Sequence, residues 1–176
     1  MSTQVLVLPG IGNSGPEHWQ SIWESEDPAF RRVLQNDWDH PIRSEWEAAL
    51  EHAVSQSDPD TILVAHSLAC LLVAHWAGRT RQRIRAALLV AVPDPAGPAF
   101  PAEASGFSAV PLQPLPFRSI VVASTNDPFG SLAHAEQCAT AWGSRLVTIG
   151  DTGHINAASG VGGWPEGREL LHGLMR

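Results

Sequence analysis

The chain of 176 residues has no tyrosine and only two cysteines, Cys70 and Cys138. Two cysteines exclude the disulfide framework that staples small secreted domains. There is no H-E-x-x-H, no C-x-x-C and no close histidine pair with ligand spacing, so neither a metal site nor a bound cofactor is expected. Charge is scarce at 16 %, and 18 acidic residues outweigh 11 basic ones for a net −7. That balance argues against nucleic acid or an anionic membrane as partner. The stretch 62–78 lacks Asp, Glu, Lys and Arg, but it is short for a membrane span and is interrupted by two histidines and a serine. Met1-Ser2-Thr3-Gln4 carries no basic region and precedes only four apolar residues, which does not read as a secretion signal. A soluble, cytoplasmic protein acting on a small molecule is the expectation, and nothing points to a particular protein partner.

Hydrophobic residues make up 44 % of the chain, enough for one domain over residues 1–176 with a full core. Compact apolar runs at 4–9, 61–65, 85–92, 119–123 and 145–149 read as buried strands, and 32–36 as a weaker one. Between them lie helical patterns. Ser44 and Glu47 form a capping box ahead of Trp46, Ala49, Leu50, Ala53 and Val54, which share one helical face. Ser131 caps a helix to about Trp142, and Pro165 sits in the first turn of a last helix over 164–175. Strands alternating with helices predict an α/β fold, a mostly parallel sheet with helices on both faces. Active residues then lie in loops at the carboxyl ends of the strands.

One junction stands out. Residues 61–65 form a β-branched, apolar strand, and from Leu68 the sequence favours helix, so His66 and Ser67 sit where the strand turns into the helix. A nucleophile elbow places its serine at such a tip and needs small residues two before and two after it. Ala65 and Ala69 meet that demand, and of the 15 serines only Ser67 has Gly or Ala at both positions. Cys70, on the inner run of the helix, reads as a small buried hydrophobe.

A rival pattern lies earlier. Gly10-Ile11-Gly12-Asn13-Ser14-Gly15 follows the first strand and matches G-x-G-x-x-G, with Asp37 placed as a ribose-binding acid. This is a dinucleotide-binding fingerprint. Its physics serves another purpose equally well, because backbone N–H groups in a glycine loop can hold the oxyanion of an acyl-transfer transition state. If the first and third strands are neighbours, the N–H groups of Ile11 and Leu68 converge on Ser67. A binding module that retains the fold without catalysis is a third reading.

A serine nucleophile needs a base, and the base an acid to orient it. Ser67, Asp127 and His154 follow three different strands in the chain order Ser, Asp, His found in α/β-hydrolases. His52, His75, His134 and His172 fall in helical patterns, His18 and His40 in loops too early in the chain, and His66 is expected to point away from Ser67. Asp94 and Asp151 compete with Asp127, the latter only three residues from His154 on the same loop. The segment 93–117 holds seven of 14 prolines and is expected to border the substrate pocket, with Phe100 and Phe107 as apolar surface. Trp19, four residues before Trp23, is a further pocket candidate. The seven tryptophans otherwise read as packing.

These residues lie within longer motifs. P-G-I-G-N-S-G-P-E-H-W-Q-S-I-W begins at Pro9, Q-N-D-W-D-H-P at Gln35, A-H-S-L-A-C at Ala65 and S-T-N-D-P-F at Ser124. G-H-I-N begins at Gly153 and W-P-E-G at Trp164. With them the chain resembles the small single-domain serine hydrolases named after retinoblastoma-binding proteins, its bacterial members above all. The resemblance implies a compact, lidless α/β-hydrolase fold with Ser67 as nucleophile, Asp127 as acid and His154 as base. It supplies no substrate. The expectation is therefore cleavage of a small carboxylic ester or activated amide through an acyl-enzyme.

Overall fold

The structure is a computed structural model that describes residues 3–176. Met1 and Ser2, where the reading of a missing secretion signal begins, lie outside the described residues. In chain order the elements are β1 (Val5–Leu8), α1 (Trp19–Glu26), β2 (Phe30–Arg32), α2 (Arg43–Ser55), β3 (Ile62–His66) and α3 (Leu68–Ala77). They continue with β4 (Ala86–Val90), β5 (Arg118–Ala123), α4 (Leu132–Trp142), β6 (Arg145–Thr148), a 3₁₀ turn (Ala157–Ser159) and α5 (Pro165–Met175). The six strands form one sheet in the order β2-β1-β3-β4-β5-β6. All five pairings are parallel, so the sheet is more uniform than the mostly parallel one expected.

The alternation of side chains along the strands explains the two layers of helices. In β3, Leu63 and Ala65 join α2, α3 and α4 in one core, while Ile62 and Val64 join α1 and α5 in another. Strands covered on both faces have to be apolar throughout, and every residue of β1, β3 and β4 is buried. On the second face Trp19, Trp23 and Trp164 pack ring on ring, with centroids 4.7–6.1 Å apart. Such pairs add roughly 0.5–1.5 kcal/mol each beyond burial.

Two local expectations need correction. The second strand is 30–32, not 32–36. Phe30 is the residue that buries its ring, against Trp23, and pairs with Val5, whereas Leu34 is 73 % exposed. The Ser44–Glu47 capping box does not form. The N-cap is Ile42 rather than Ser44, so α2 begins two residues earlier, at Arg43, whose N–H donates to the carbonyl of Ser105 (3.0 Å), and Glu47 is taken by the Arg43 guanidinium (2.7 Å). The tertiary contact with the proline-rich segment overrode the local signal. The helix α1, with His18 as its N-cap, was not anticipated at all.

Candidate active site

The neighbours β1 and β3 meet at the switch point of the sheet, and the loops after them share one crevice. Ser67 stands at the tip between β3 and α3 with φ 57° and ψ −125°, a conformation that L residues rarely adopt. Its N–H donates to the Val90 carbonyl (2.9 Å). Ala65 and Ala69 are wholly buried beside it, as the elbow requires. Gly10 closes the crevice from the other side. A side-chain carbon there would lie 3.1 Å from both Ser67 Cβ and the His66 carbonyl. The bare backbone at Gly10 therefore lets the glycine loop touch the elbow. Within that loop the Gly12 N–H is bound to Trp38 O (2.8 Å) and the Asn13 N–H to Gly10 O (3.2 Å). The N–H groups of Ile11 and Leu68 have no internal acceptor among the described residues. Asp37, the would-be ribose acid, caps its own turn by accepting from the N–H groups of Asp39 and His40.

Ser67, His154 and Asp127 come together from the ends of β3, β6 and β5. Ser67 Oγ lies 2.7 Å from His154 Nε2, and His154 Nδ1 lies 2.9 Å from both carboxylate oxygens of Asp127. A carboxylate only accepts, so the ring proton sits on Nδ1 and Nε2 is free to accept from the serine hydroxyl. The Asp127 side chain is 3 % exposed and also accepts from the Phe129 N–H (2.9 Å). The two loops are sewn together. Ser124 Oγ accepts from Thr152 N–H (2.9 Å), Asn126 Oδ1 accepts from Gly153 N–H (2.7 Å), and Thr125 Oγ1 donates to Asp151. That bond explains why Asp151 does not serve His154. Asp94 is likewise elsewhere, capping Ala96 and lying 3.8 Å from His134.

Comparison with known proteins gives the family and the fold. The serine hydrolase family matches residues 5–173, almost the whole chain. The chain belongs to the serine hydrolase family. Among solved structures, a putative YdeN-like hydrolase from Pectobacterium atrosepticum is 31 % identical with a TM-score of 0.87, over 99 % of this chain and 91 % of that one. The ydeN gene product of B. subtilis is 18 % identical with a TM-score of 0.79, over 98 % of each chain. BorB, a type II thioesterase from the borrelidin biosynthetic cluster, is 14 % identical with a TM-score of 0.72, over 100 % of this chain and 94 % of that one. The last two share the fold. No curated protein sequence matches. The α/β-hydrolase fold and a hydrolytic function are thereby established for this serine hydrolase. Among its described residues no helix is long and apolar enough to cross a membrane.

In this serine hydrolase Ser67 opens onto a cleft of about 260 Å³. Its lining is apolar at Leu68, Pro93, Phe100, Pro101 and Phe129 and polar at Asn13, His18, His66 and Asn156. Of the pocket candidates, Phe100 lines the cleft. Trp19 and Phe107 do not, and both are wholly buried. Trp19 is held in the second core by its indole N–H, which donates to the Ile155 carbonyl (2.8 Å). Phe107 packs edge to face on Trp46 and His75 in the first core. Proline-rich chain thus borders the cleft at Pro93, Phe100 and Pro101 only. Phe129 was missed, although its position two residues after Asp127 marks it as part of the same loop. Its ring lies 4.5 Å from that of His154.

His66 does not point away. Its Nε2–H donates to the His154 carbonyl (2.8 Å), and its ring lies between those of His18 and His154, at 4.7 and 5.0 Å. Burial holds its pKa well below that of a free histidine, with the nearby His154 adding to the effect. His18 accepts from the Gln20 N–H at Nδ1 (3.2 Å), so its proton is on Nε2, which has no partner. Burial, then Arg32, then His154 lower its pKa to about 4. A second grouping, of Cys138, His134 and Asp94, is not arranged for nucleophilic attack. Burial pushes the Cys138 thiol up to about 12, and His134 Nε2 donates to the Pro93 carbonyl.

The neutral His18 has a consequence for stability. Between pH 4 and 6.5 the unfolded chain binds the proton that folded His18 refuses, so stability falls as pH drops through that window. A drop from 6.5 to about 4 corresponds to about 3 kcal/mol, fully present above pH 6.5. His66 acts in the same direction. Urea unfolding at pH 7 and 4.5 measures the loss. His18→Asn keeps an oxygen acceptor for the Gln20 N–H but cannot titrate, so its stability is expected to fall less over this range than that of the wild type. An equal fall in both proteins would contradict this origin.

Proposed function

We propose that this serine hydrolase cleaves a small, uncharged carboxylic ester or activated amide through an acyl-enzyme, in the manner of a carboxylesterase. One observation carries the reading, the continuous chain from Ser67 Oγ through the His154 ring to Asp127. His154 Nε2 takes the hydroxyl proton as Ser67 Oγ attacks the carbonyl carbon. The tetrahedral oxyanion accepts hydrogen bonds from the N–H groups of Ile11 and Leu68. His154 then gives its proton to the leaving oxygen or nitrogen, and that bond breaks. Water, deprotonated by the same ring, releases the acid and restores Ser67. Asp127 holds the ring and stabilises the imidazolium throughout.

The cleft supports this substrate class. None of its lining residues is Asp, Glu, Lys or Arg, and burial opposes protonation of two of its three lining histidines, His18 and His66. A buried charge on the substrate would find no counter-charge there. Phe100 and Phe129 suit an apolar group of modest size. The acidic chain supports a small-molecule partner rather than nucleic acid or membrane, and the free, buried cysteines suit a cytoplasmic setting. The dinucleotide reading fares worse. Its loop is packed on Ser67 at Gly10, and three of its N–H groups, those of Gly12, Asn13 and Ser14, are already used. A non-catalytic module would have no need of a serine, histidine and aspartate in hydrogen-bond order.

The deciding experiment is labelling of the folded protein with a fluorophosphonate, read by intact mass and peptide mapping. One adduct per chain, on Ser67, is expected. No adduct, or an adduct elsewhere, would remove the hydrolase mechanism. Titration of the same sample with nicotinamide and flavin nucleotides is expected to give no saturable binding.

A further inference from the structure

His154 lies between two residues with left-handed backbone, Gly153 (φ 56°) and Ile155 (φ 51°). Glycine adopts that conformation freely. For a β-branched residue it is strained, and such strain persists only where the surroundings over-determine it. The surroundings here are specific. Ile155 is wholly buried in the second core, so its side chain is fixed. The peptide before it ends in the His154 carbonyl, which accepts from His66 Nε2–H (2.8 Å). The peptide after it ends in the Ile155 carbonyl, which accepts from Trp19 Nε1–H (2.8 Å). One ring donor therefore holds the carbonyl side of each of the two peptide planes that flank the strained residue, while their N–H sides donate to Thr152 O (3.2 Å) and Ser159 Oγ (3.1 Å).

The first plane matters most. Its orientation sets φ of Ile155 and ψ of His154 together. A rotation that relieved the strain would swing the His154 backbone and carry its ring off the line between Ser67 and Asp127. We propose that His66 and Trp19 are positioning residues that lock His154 into its hydrogen-bonded place against the strain at Ile155. The proposal rests on the reading of His154 as the general base. It also accounts for the side chain at the elbow. His66 is the residue before the nucleophile, so its bond ties the serine's own strand to the loop of the base. The distance between Ser67 and His154 is then set by one short connection rather than by two independent loops. Catalysis is served by a neutral ring at His66, since a second positive charge 5.0 Å from His154 would oppose the imidazolium. Burial keeps His66 in that state.

The test compares His66→Leu with His66→Gln, whose carboxamide N–H can reach the same carbonyl. His66→Leu is expected to lose about 10- to 10²-fold in kcat on a neutral ester, the scale of a small misplacement of a reacting group, with KM little changed. His66→Gln is expected to recover most of the loss. The downfield proton resonance of His154 Nδ1–H should shift in His66→Leu and stay near its wild-type position in His66→Gln. Because glycine adopts φ 51° without strain, the His66→Leu loss should shrink to less than about threefold on an Ile155→Gly background. Trp19→Phe keeps the ring, removes the donor and should also lower kcat, which serves if His66→Leu does not fold. Equal kcat in His66→Leu, Trp19→Phe and wild type would overturn the proposal, and so would an equal loss on both backgrounds. Failure of fluorophosphonate labelling at Ser67 in the wild type would instead remove the underlying mechanism.

Discussion

Replacement of Ser67 by alanine is expected to lower kcat by about 10⁶ and to abolish fluorophosphonate labelling, the scale seen when a serine nucleophile is removed from a working triad. In the proposed mechanism the whole reaction passes through Ser67 Oγ, and among the described residues no other hydroxyl contacts His154 Nε2. The same position predicts a second, independent effect. Ser67 holds φ 57° with a side chain that prefers not to. Alanine keeps the strain, whereas glycine removes it. Strain of this kind costs roughly 1–3 kcal/mol, against roughly 0.5–1 kcal/mol for the greater freedom of unfolded glycine. Ser67→Gly should therefore be as inactive as Ser67→Ala and unfold at higher urea. The elbow would then be a place where stability is given up for exposure of the nucleophile. Turnover of Ser67→Ala within tenfold of wild type would end the assignment. A glycine variant less stable than the alanine variant would end the strain argument alone.

The parts of the fold legible in the sequence were those fixed by local patterns. Four of the six strands are buried on both faces and form apolar runs, so β1, β3, β4 and β5 stand out with boundaries good to a residue or two. Ser131 and Pro165 mark helix starts because cap chemistry is local. β2 was misplaced because an edge strand of three residues carries little pattern, and its single buried ring, Phe30, lies outside the more apolar run that follows. α1 was unread because its cap is a histidine, and its buried face consists of two tryptophans and Gln20, whose amide donates to the carbonyls of Leu8 and Val64 (3.1 Å each). A buried glutamine that ties a helix to two strands has no local signature.

The candidate site divides in the same way. Ser67, Asp127 and His154 could be chosen because each follows a strand and the chain order was constrained. The walls of the cleft could not. Trp19 and Phe107 are aromatic and near the right loops, but side-chain direction decides, and both turn into the cores. Position in the chain gives His18 and His66 no place at the cleft. Only the packing of α1 against the end of β3 brings their rings together. The strained Ile155 is invisible in sequence, since isoleucine is among the last residues one would place at positive φ.

Asp127→Asn is expected to lower kcat by as much as about 10⁴ while the fold stays intact, by analogy with the acid-to-amide change in a well-studied triad. The reason is a tautomer. With aspartate, His154 must carry its proton on Nδ1, because both carboxylate oxygens at 2.9 Å can only accept. The Phe129 N–H donates to Oδ1 of the same group, which favours an asparagine that keeps its oxygen there and turns its NH₂ toward the ring. Nδ1 must then accept, the proton moves to Nε2, and the ring faces Ser67 with a donor where it needs a lone pair. Asp94→Asn is the control. Its side chain caps Ala96 and stands 3.8 Å from His134, so it should change kcat less than about threefold. Asp151, which accepts from Thr125 Oγ1, latches the two loops together, and its amide variant should fall between the others. The readout is kcat on a neutral ester, with urea unfolding of all three variants to verify the fold. A severe Asp94→Asn beside a near-normal Asp127→Asn would assign the acid to the loop after β4 and overturn the geometry proposed for the base.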